Sequence, residues 1–581
     1  MILTNYRARL RLSSRGLLPA TPAFIWLCLF FLIPTAMVSA FSFGSSNLFG
    51  SNLVDLSAPS LDRYREVGSA TFRVAFMNTV QLSAVGTMLC LAIAFPMAYL
   101  ISTKLTGKWK YLAIIGVIVP FWMPFLLRTY SWRLLLGEHG PLTTLFGIDC
   151  HGMLDSMSGA QLGVVYNYLP LAVLPIVVAL DRLDPALRMA GRDLGASPWR
   201  VFWQVTVPAA RPGLISAGVL VFIPLMGDYV TPAVLGGVNV FVVGALISDS
   251  FLVTQDWALG AAAAVFLIVL VAVVLSLAGL LCVGLRRVLH LLRPLDLAAR
   301  LPRPNLPLVR RQVSEPVLRV YGVAFLVFLW SPILTVAAYS FNQGRSLAVW
   351  DGPGFRWYAA IPENNLLTDA VGQSVLVAVL STVIALLIGT LAGIALANSH
   401  AVIRRGLTVI LMVVFVTPEI VAATGSLMLY LQTGPLMADG TTRLVISHSV
   451  VSTVMVAFVV SARLKSLDTN LLAAGADLGA TPLQVLRRVL LPIAAPAIAA
   501  GAVLASTFSL DDVIASSIVS TVGSTTLPVV IYSTLRTGLK GDAAAASTLM
   551  MAATALAVCL TAAVLARAGH GRSFLSGLTG G

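Results

Sequence analysis

Charged side chains are scarce in this chain of 581 residues. Lys, Arg, Asp and Glu together make up 11% of the sequence, whereas about a quarter is usual in a soluble globular protein. Apolar residues make up 58%, and the mean hydropathy is +0.91. This shortage of charge excludes an ordinary soluble domain and predicts a membrane protein.

Cysteine and histidine are also rare, and neither residue type forms a cluster. Of the five cysteines, only Cys150 lies outside the apolar runs, and the set lacks the spacing of a disulfide framework or a metal site. The six histidines are scattered, and only His448 lies within an apolar run. A membrane-embedded enzyme would need a nucleophile, a base or metal ligands close together. We therefore expect neither catalytic residues nor a metal site.

Long apolar runs are what the sequence has in abundance. Twelve runs of about 20 residues are each long enough to cross ~30 Å of hydrocarbon as a helix. Transmembrane β-strands would instead be about ten residues long and would alternate apolar with polar positions. We predict an all-α, polytopic helical membrane protein with spans near 21–43, 78–103, 111–136, 160–180, 212–236, 257–285, 317–341, 370–398, 406–432, 444–462, 495–520 and 543–566.

The basic residues predict how the chain lies in the bilayer. The formal net charge is +14, but most of the 38 Lys and Arg residues fall in the termini and in alternate loops. Such residues favour the cytoplasmic side, so we predict that both termini are cytoplasmic. The positive charge follows from this topology and gives no reason to expect nucleic-acid binding. The run 22–43 is too long for a signal-peptide core, and we expect it to remain as a span.

A passage of thirty residues occurs twice, 284 positions apart. Leu183–Pro212 and Leu467–Pro496 share fifteen identical positions without a gap, and each lies between two apolar runs. Internal repetition of this kind indicates the architecture directly. It predicts two related halves of six spans, residues 1–290 and 316–581, joined by a Pro- and Arg-rich cytoplasmic linker at 291–315. Because the linker begins and ends on one side, the two halves have the same orientation.

Each copy of this passage predicts a hairpin of two short helices. Asp184 suits an N-cap and is followed by proline, while Gly195 and Gly479 suit helix ends with positive φ. Pro208 and Pro492 are expected to mark the entry to the next span. A loop that only joins two spans would explain one copy. Two matching copies favour a docking surface for two copies of one partner.

The repeated loop resembles the cytoplasmic "EAA" loop of permeases in binding-protein-dependent ABC importers. The resemblance is carried by Asp-Leu-Gly-Ala, by the following Ser/Thr-Pro and by a proline thirteen residues after the glycine. It departs from the family at Met189 and Ala473, where the family has Glu. The resemblance implies contacts with an ATPase subunit at Ala190, Gly191, Asp193, Gly195, Pro208, Ala474, Gly475, Asp477, Gly479 and Pro492.

Further segments resemble the two permease subunits of spermidine/putrescine importers. Val221–Gly237 is similar to the first subunit and Phe508–Ser520 to the second, so the resemblance implies a fusion of two subunits. No phosphate-binding loop of the form Gly-x-x-x-x-Gly-Lys-Ser/Thr is present. The resemblance thus implies a multi-pass protein of the bacterial inner membrane with two copies of an ATPase that bind the ATP. It also implies an extracytoplasmic solute-binding protein as a partner and no cofactor in this chain.

Four acidic residues fall within the predicted spans or near their outer ends. An ionisable side chain at membrane depth costs at least ~2.5–3.5 kcal/mol and is therefore a functional candidate. We expect Asp228, Glu419, Asp511 and Asp512 to line a vestibule that attracts a cationic solute. The alternative is that Asp228 and Asp512 cap helix breaks. Arg128 is a basic residue within a span.

Other transport functions remain open from the sequence. Permeases of the same importer class also serve iron(III), thiamine, phosphonates and opines, so polyamines are one cargo among several. Six spans, a cytoplasmic linker and six further spans also describe secondary transporters of the major facilitator type. The basic loop expected between spans two and three of such a transporter is absent, because that region reads STKLTGKWK.

Overall fold

The computed structural model describes residues 19–46, 54–292, 315–344, 349–465, 474, 477–535 and 541–567. The proposed linker at 291–315 therefore lies almost wholly outside the described residues. Helices in the first half are α1 (Pro19–Phe41), α2 (Asp62–Val67), α3 (Ala70–Thr103), α4 (Gly107–Phe121), α5 (Phe125–Leu136), α6 (Pro141–Phe146), α7 (Met157–Asp181), α8 (Pro185–Asp193), α9 (Pro198–Gly227), α10 (Val243–Leu252) and α11 (Trp257–Leu292).

The second half has a corresponding series of helices. These are α12 (Glu315–Tyr339), α13 (Arg356–Ala360), α14 (Asn365–Asn398), α15 (Ala401–Val416), α16 (Glu419–Gln432), α17 (Gly440–Lys465), α18 (Leu483–Asp511), α19 (Ile514–Val519), α20 (Leu527–Leu535) and α21 (Gly541–Arg567). Among the described residues, strand structure is confined to a small antiparallel hairpin of β1 (Ser45–Ser46) and β2 (Val54–Asp55) and an isolated bridge. The all-α membrane fold is confirmed.

Nine helices in the described part of the chain are long and apolar enough to cross a membrane, and up to twelve spans result if each bent pair counts as one. The predicted third and ninth spans are each sharply bent. The axis bends by 91° between α4 and α5 and by 101° between α15 and α16. Each bend has a proline, Pro124 or Pro418, as the residue that precedes the second helix. Proline lacks the N–H needed to continue the helix and restricts the residue before it.

The predicted fifth and eleventh spans extend too far. The first ends at Gly227 and the second at Asp511, and each is followed by an extended residue, Asp228 or Asp512, with ψ of 110° and 117°. The chain then folds into short helical turns before α10 and α20. In the first half this segment bends by 93° between residues 239 and 243. The apolar composition continues across both breaks, which is why hydropathy alone predicted a single span.

Equivalent hydrogen bonds relate the two halves. The hydroxyl of Thr79 on α3 accepts from the backbone N–H of Val243 at 3.0 Å, where α10 begins. The hydroxyl of Ser374 on α14 accepts from the N–H of Leu527 at 2.8 Å, where α20 begins. Val243 and Leu527 are 284 positions apart, the same offset as the repeated loops. The duplication thus extends from the sequence to the contacts that anchor corresponding helices.

The first helix of each half packs against the other half. The Trp26 indole on α1 donates to the hydroxyl of Ser449 on α17 at 3.2 Å. On α12, the Trp330 indole donates to the Gly116 carbonyl at 2.9 Å, and the Leu329 carbonyl accepts from the Tyr166 hydroxyl at 2.8 Å. One continuous hydrophobic core therefore contains residues of both halves.

Candidate coupling loops and solute pathway

The first repeated loop forms the predicted helical hairpin. The Asp184 carboxylate accepts from the N–H of Ala186 at 2.8 Å and caps α8. The helix ends at Asp193 and is soon followed by Gly195, whose φ is +79°. Ser197 then caps α9 by accepting from the N–H of Arg200 at 3.3 Å. The hairpin is held by its own caps and by a glycine in the left-handed region.

The second loop has the same geometry where it is described. Gly479 has a φ of +78°, and the N–H of Leu478 donates to the Ala474 carbonyl at 3.0 Å, as Leu194 does to Ala190 at 3.0 Å. Thr481 and Gln484 form a reciprocal capping box at the start of α18, with distances of 2.7 and 3.3 Å. Of the predicted docking residues, Gly475 lies outside the described residues.

Both loops present the same apolar residue to solvent. Leu194 and Leu478 are each 88% exposed, and the neighbouring predicted residues Asp193 and Asp477 are exposed as well. Gly191 has a different role, because a Cβ there would lie 3.2 Å from Val201 where α8 packs against α9. Gly191 thus closes the hairpin, while the exposed leucines form its outer surface.

Pro208 and Pro492 lie where each loop passes into the next span, and neither proline ends the helix. Each helix runs continuously from the hairpin into the span, through a π-turn of five residues at Phe202–Thr206 and at Leu486–Leu490. The next N–H, of Val207 or Leu491, bonds five residues back. Wider π-type spacing accommodates a proline within a continuous helix. The loops are therefore continuous with α9 and α18.

The far ends of α9 and α18 lie beside carboxyl groups. Asp228 is 2% exposed and accepts from the N–H and hydroxyl of Thr231 at 3.0 and 2.6 Å. The Tyr168 hydroxyl donates to it at 3.5 Å. Asp512 accepts from the Ser516 N–H at 3.1 Å. Both aspartates thus cap the turns that follow the helix breaks.

Asp512 also contacts a buried histidine that the sequence did not assign to the site. His448 Nε2 lies 3.3 Å from the Asp512 carboxylate. Its Nδ1 lies 2.7 Å from the Ser509 hydroxyl, and its Nε2 lies 3.0 Å from the Ser516 hydroxyl. In the sequence, His448 stands out only as a polar residue within the apolar run 444–462. Its partners could not be predicted, because only the fold brings α17 beside the end of α18.

Glu419 occupies the first position of α16 and completes a group of four carboxyl residues. Its side chain lies within electrostatic range of Asp512, Asp511 and Asp228. Gly227 allows this approach, since a Cβ there would lie 3.1 Å from Pro418. The fold therefore brings together all four acidic residues singled out in the sequence. We call Asp228, Glu419, Asp511 and Asp512 the acid cluster.

Arg128 is the cation that lies against the acid cluster. Its guanidinium, on α5, lies 3.6 Å from the Asp511 carboxylate and donates to the Asn167 carbonyl at 3.2 Å. The rings of Phe121 and Phe125 lie 5.4 and 5.8 Å from the guanidinium carbon. Asp511 also accepts from the backbone N–H of Phe125. Within the described ranges, no group of three or more His, Cys, Asp and Glu residues could hold a metal ion.

A helical hairpin in the first half, with matching geometry in the described part of the second loop, is continuous in each half with a long helix that ends beside an interior acid cluster. This arrangement defines a transport permease built from two repeats. The chain belongs to the family of binding-protein-dependent transport system inner membrane components, whose model matches residues 17–287 and 385–570. It is therefore an inner-membrane permease of an ATP-driven importer and not an enzyme, and its partners are an ATPase and a solute-binding protein. This membership excludes the secondary transporter.

Individual relatives correspond to one half of the chain. The spermidine/putrescine transport system permease protein PotB of Haemophilus influenzae is 33% identical over 258 residues, covering 43% of this chain and 88% of that protein. The putrescine transport system permease protein PotI of Escherichia coli is 33% identical over 269 residues, covering 45% of this chain and 94% of that protein. The chain is thus a fused, two-repeat permease, and the resemblance drawn from the loops is confirmed.

Among solved structures, the chain matches a bacterial ABC transporter involved in the import of the acidic polysaccharide alginate. The TM-score is 0.39 and the sequence identity is 16%. The match covers 45% of this chain and 92% of that chain.

Proposed function

We propose that this permease carries polyamines such as spermidine or putrescine across the inner membrane. The observation that carries the proposal is the acid cluster between the two halves. Its four carboxyl residues lie beside one guanidinium, Arg128, so the site has an excess of groups able to carry negative charge. Opposite charges attract strongly where water is largely excluded. The polyamine permeases among the relatives support the same assignment.

Both repeated loops act, in this proposal, as docking sites for two copies of one ATPase subunit on the cytoplasmic side. Equal geometry at Gly195 and Gly479 and equal exposure of Leu194 and Leu478 support two equivalent contacts. The domains are then residues 1–290 and 316–581 with a cytoplasmic linker at 291–315, and both termini are cytoplasmic. The remaining docking residues in this proposal are Ala190, Gly191, Asp193 and Pro208 in the first loop and Ala474, Gly475, Asp477 and Pro492 in the second.

Continuous helices would transmit the movement of the ATPase to the solute. Helix α9 has 30 residues and α18 has 29, so each is about 45 Å long at ~1.5 Å per residue. One end of each helix lies in a docking loop and the other beside the acid cluster. ATP binding would draw the two loops together and rotate the far ends apart, which opens the pathway to the loaded solute-binding protein.

Uptake of labelled spermidine by a strain that lacks its own polyamine importers tests the proposal. The chain is expressed with its ATPase and solute-binding protein, and the Glu419→Gln and Asp512→Asn variants are compared with it. Each variant removes one carboxylate, so we expect uptake to fall about tenfold or more. Asp62→Asn is the control, because Asp62 lies in an exposed ion pair with Arg65 at 2.8 Å.

Competition with other solutes decides the cargo. Excess unlabelled putrescine should block uptake of spermidine, whereas thiamine, iron(III) complexes and phosphonates should leave it unchanged. Normal spermidine uptake in a strain that lacks this permease, or uptake that only thiamine inhibits, would refute the polyamine assignment.

A further inference from the structure

We propose that Arg128 is an internal counter-cation of the solute pathway. It neutralises Asp511 while the pathway is empty and gives up this carboxylate to an ammonium group of the entering solute. The inference rests on the proposed cationic cargo and adds a residue that determines specificity. It would make the positive charge of the solute a condition for opening the pathway.

The Arg128–Asp511 ion pair joins the two halves at a buried position. Arg128 lies on α5 of the first half, and Asp511 is the last residue of α18 in the second half. The distance from the guanidinium to the carboxylate is 3.6 Å, and the arginine side chain is 3% exposed. Since α18 begins in a docking loop, movement of that helix changes this distance directly.

The surroundings of Arg128 do not satisfy the guanidinium fully. An arginine has five N–H donors, and within the described part of the chain its buried Nε has no hydrogen-bond partner. One donor bonds to the Asn167 carbonyl, and the two phenylalanine rings contact the planar group. A site built to retain arginine permanently would saturate these donors. The incomplete shell instead suits a side chain that leaves the carboxylate in another state.

The other members of the acid cluster have different partners among the described residues. Asp228 is held by Thr231 and Tyr168, and Asp512 by Ser516 and His448. Glu419 lies within electrostatic range of the other three carboxyl groups. Asp511 is therefore the member whose nearest ionic partner is a permanent positive charge, so an entering ammonium group must compete with Arg128 there.

The ion pair is not duplicated in the repeat. Position 227, which is equivalent to Asp511, is a glycine, and position 422, which lies as far beyond Pro418 as Arg128 lies beyond Pro124, is an alanine. By contrast, the hydrogen bond from Val243 to Thr79 has a counterpart in the second half, from Leu527 to Ser374. A contact that occurs only once is better explained by a role in the solute pathway than by a role in the duplicated fold.

The ATPase rate of the purified complex in lipid nanodiscs tests this role. With no solute present, Arg128→Gln should raise the basal rate at least threefold, because the empty pathway is no longer held closed. Stimulation by spermidine with its binding protein should fall correspondingly. Arg128→Lys keeps the charge and should restore most of the stimulation. Asp511→Asn should raise the basal rate similarly, and the double variant should add nothing.

Arg133→Gln is the matched control. Arg133 lies on the same helix, but its side chain is 40% exposed, and its guanidinium contacts Asp155 at 3.0 Å and the Val234 carbonyl at 2.7 Å rather than a member of the acid cluster. We expect this variant to retain the wild-type basal rate and stimulation. Gel filtration of every complex checks that ATPase subunits remain bound.

Two results overturn the proposal. The first is a wild-type basal rate in both Arg128→Gln and Asp511→Asn. The second is an Arg128→Lys variant that behaves like Arg128→Gln, because the shape of the guanidinium and not its positive charge would then be what the pathway requires. The solute-free measurement separates this inference from the polyamine assignment. If spermidine fails to stimulate the wild-type complex while Arg128→Gln still raises the basal rate, the polyamine assignment fails, but the ion pair still holds the empty pathway closed.

Discussion

Two glycines in the repeated loops adopt a backbone conformation that favours glycine. Gly195 and Gly479 have φ values of +79° and +78°, and an added Cβ at either position would find no atom within 4 Å. A side chain there meets no steric obstacle from neighbours, but the left-handed conformation costs roughly 1–2 kcal/mol for residues other than glycine. The sequence predicted this conformation correctly, because a helix followed by glycine and a new cap is a local pattern.

Replacing either loop glycine should disturb the proposed coupling without preventing membrane insertion. We expect Gly195→Val and Gly479→Val each to lower solute uptake at least threefold, because the strained loop no longer presents its leucine correctly. Solute-stimulated ATPase activity and uptake are measured on the same preparations. Gly147→Val is the control, since Gly147 also has positive φ (+64°) and open space but ends α6, away from both docking loops. Full uptake by both loop variants would remove these loops from the mechanism.

Close packing between helices depends on small residues at defined positions. On α14, a Cβ at Gly389 would lie 2.7 Å from Val456, and one at Gly393 would lie 2.8 Å from Val460. The two glycines are one helical turn apart and let α14 approach α17 closely. Small residues spaced by four positions bring helices together in membranes in this way.

Enlarging one of these glycines should destabilise the permease. Gly389→Ile places a branched side chain against α17, and overpacking of this kind costs about 1–3 kcal/mol. We expect a lower yield of folded protein and a lower midpoint in a thermal unfolding assay in detergent. Gly372→Ile, on the same helix, should have no such effect, because nothing lies within 4 Å of that position. Equal stability of the two variants would contradict the packing described for α14 and α17.

The two halves of the molecule are held together by exchanged helices. Helix α1 packs on the second half through Trp26 and Ser449, and α12 packs on the first half through Trp330 and Gly116. These contacts belong to a core that contains residues of both halves. A covalent linker mainly raises the effective concentration of the second half near the first.

Cutting the chain within the proposed linker should therefore leave a functional permease. Residues 1–303 and 304–581, expressed together with an affinity tag on the first fragment, should co-purify in equal amounts and retain uptake. The first fragment expressed alone should be recovered in much smaller amounts, because the surface that receives α12 is then uncovered. Failure of the two fragments to co-purify would mean that the linker itself maintains the assembly.

The features that the sequence alone determined depend on neighbouring residues or on the internal repeat. The lengths of the apolar runs determine the helices and most spans, while caps such as Asp184 and glycines such as Gly195 determine the hairpins. The repeat determines the two-fold architecture. The acidic residues were found because charge is rare in apolar runs, although nothing local indicated their partners.

Only the tertiary structure decided how these elements bend and meet. The apolar composition continues past Pro124, Pro418, Asp228 and Asp512, so hydropathy could not locate the breaks. Asp511 bonds to a backbone group 386 positions away, and His448 reaches Asp512 from another helix. Such pairings depend on how whole helices pack in three dimensions, and packing between distant segments leaves no periodic trace in a single sequence.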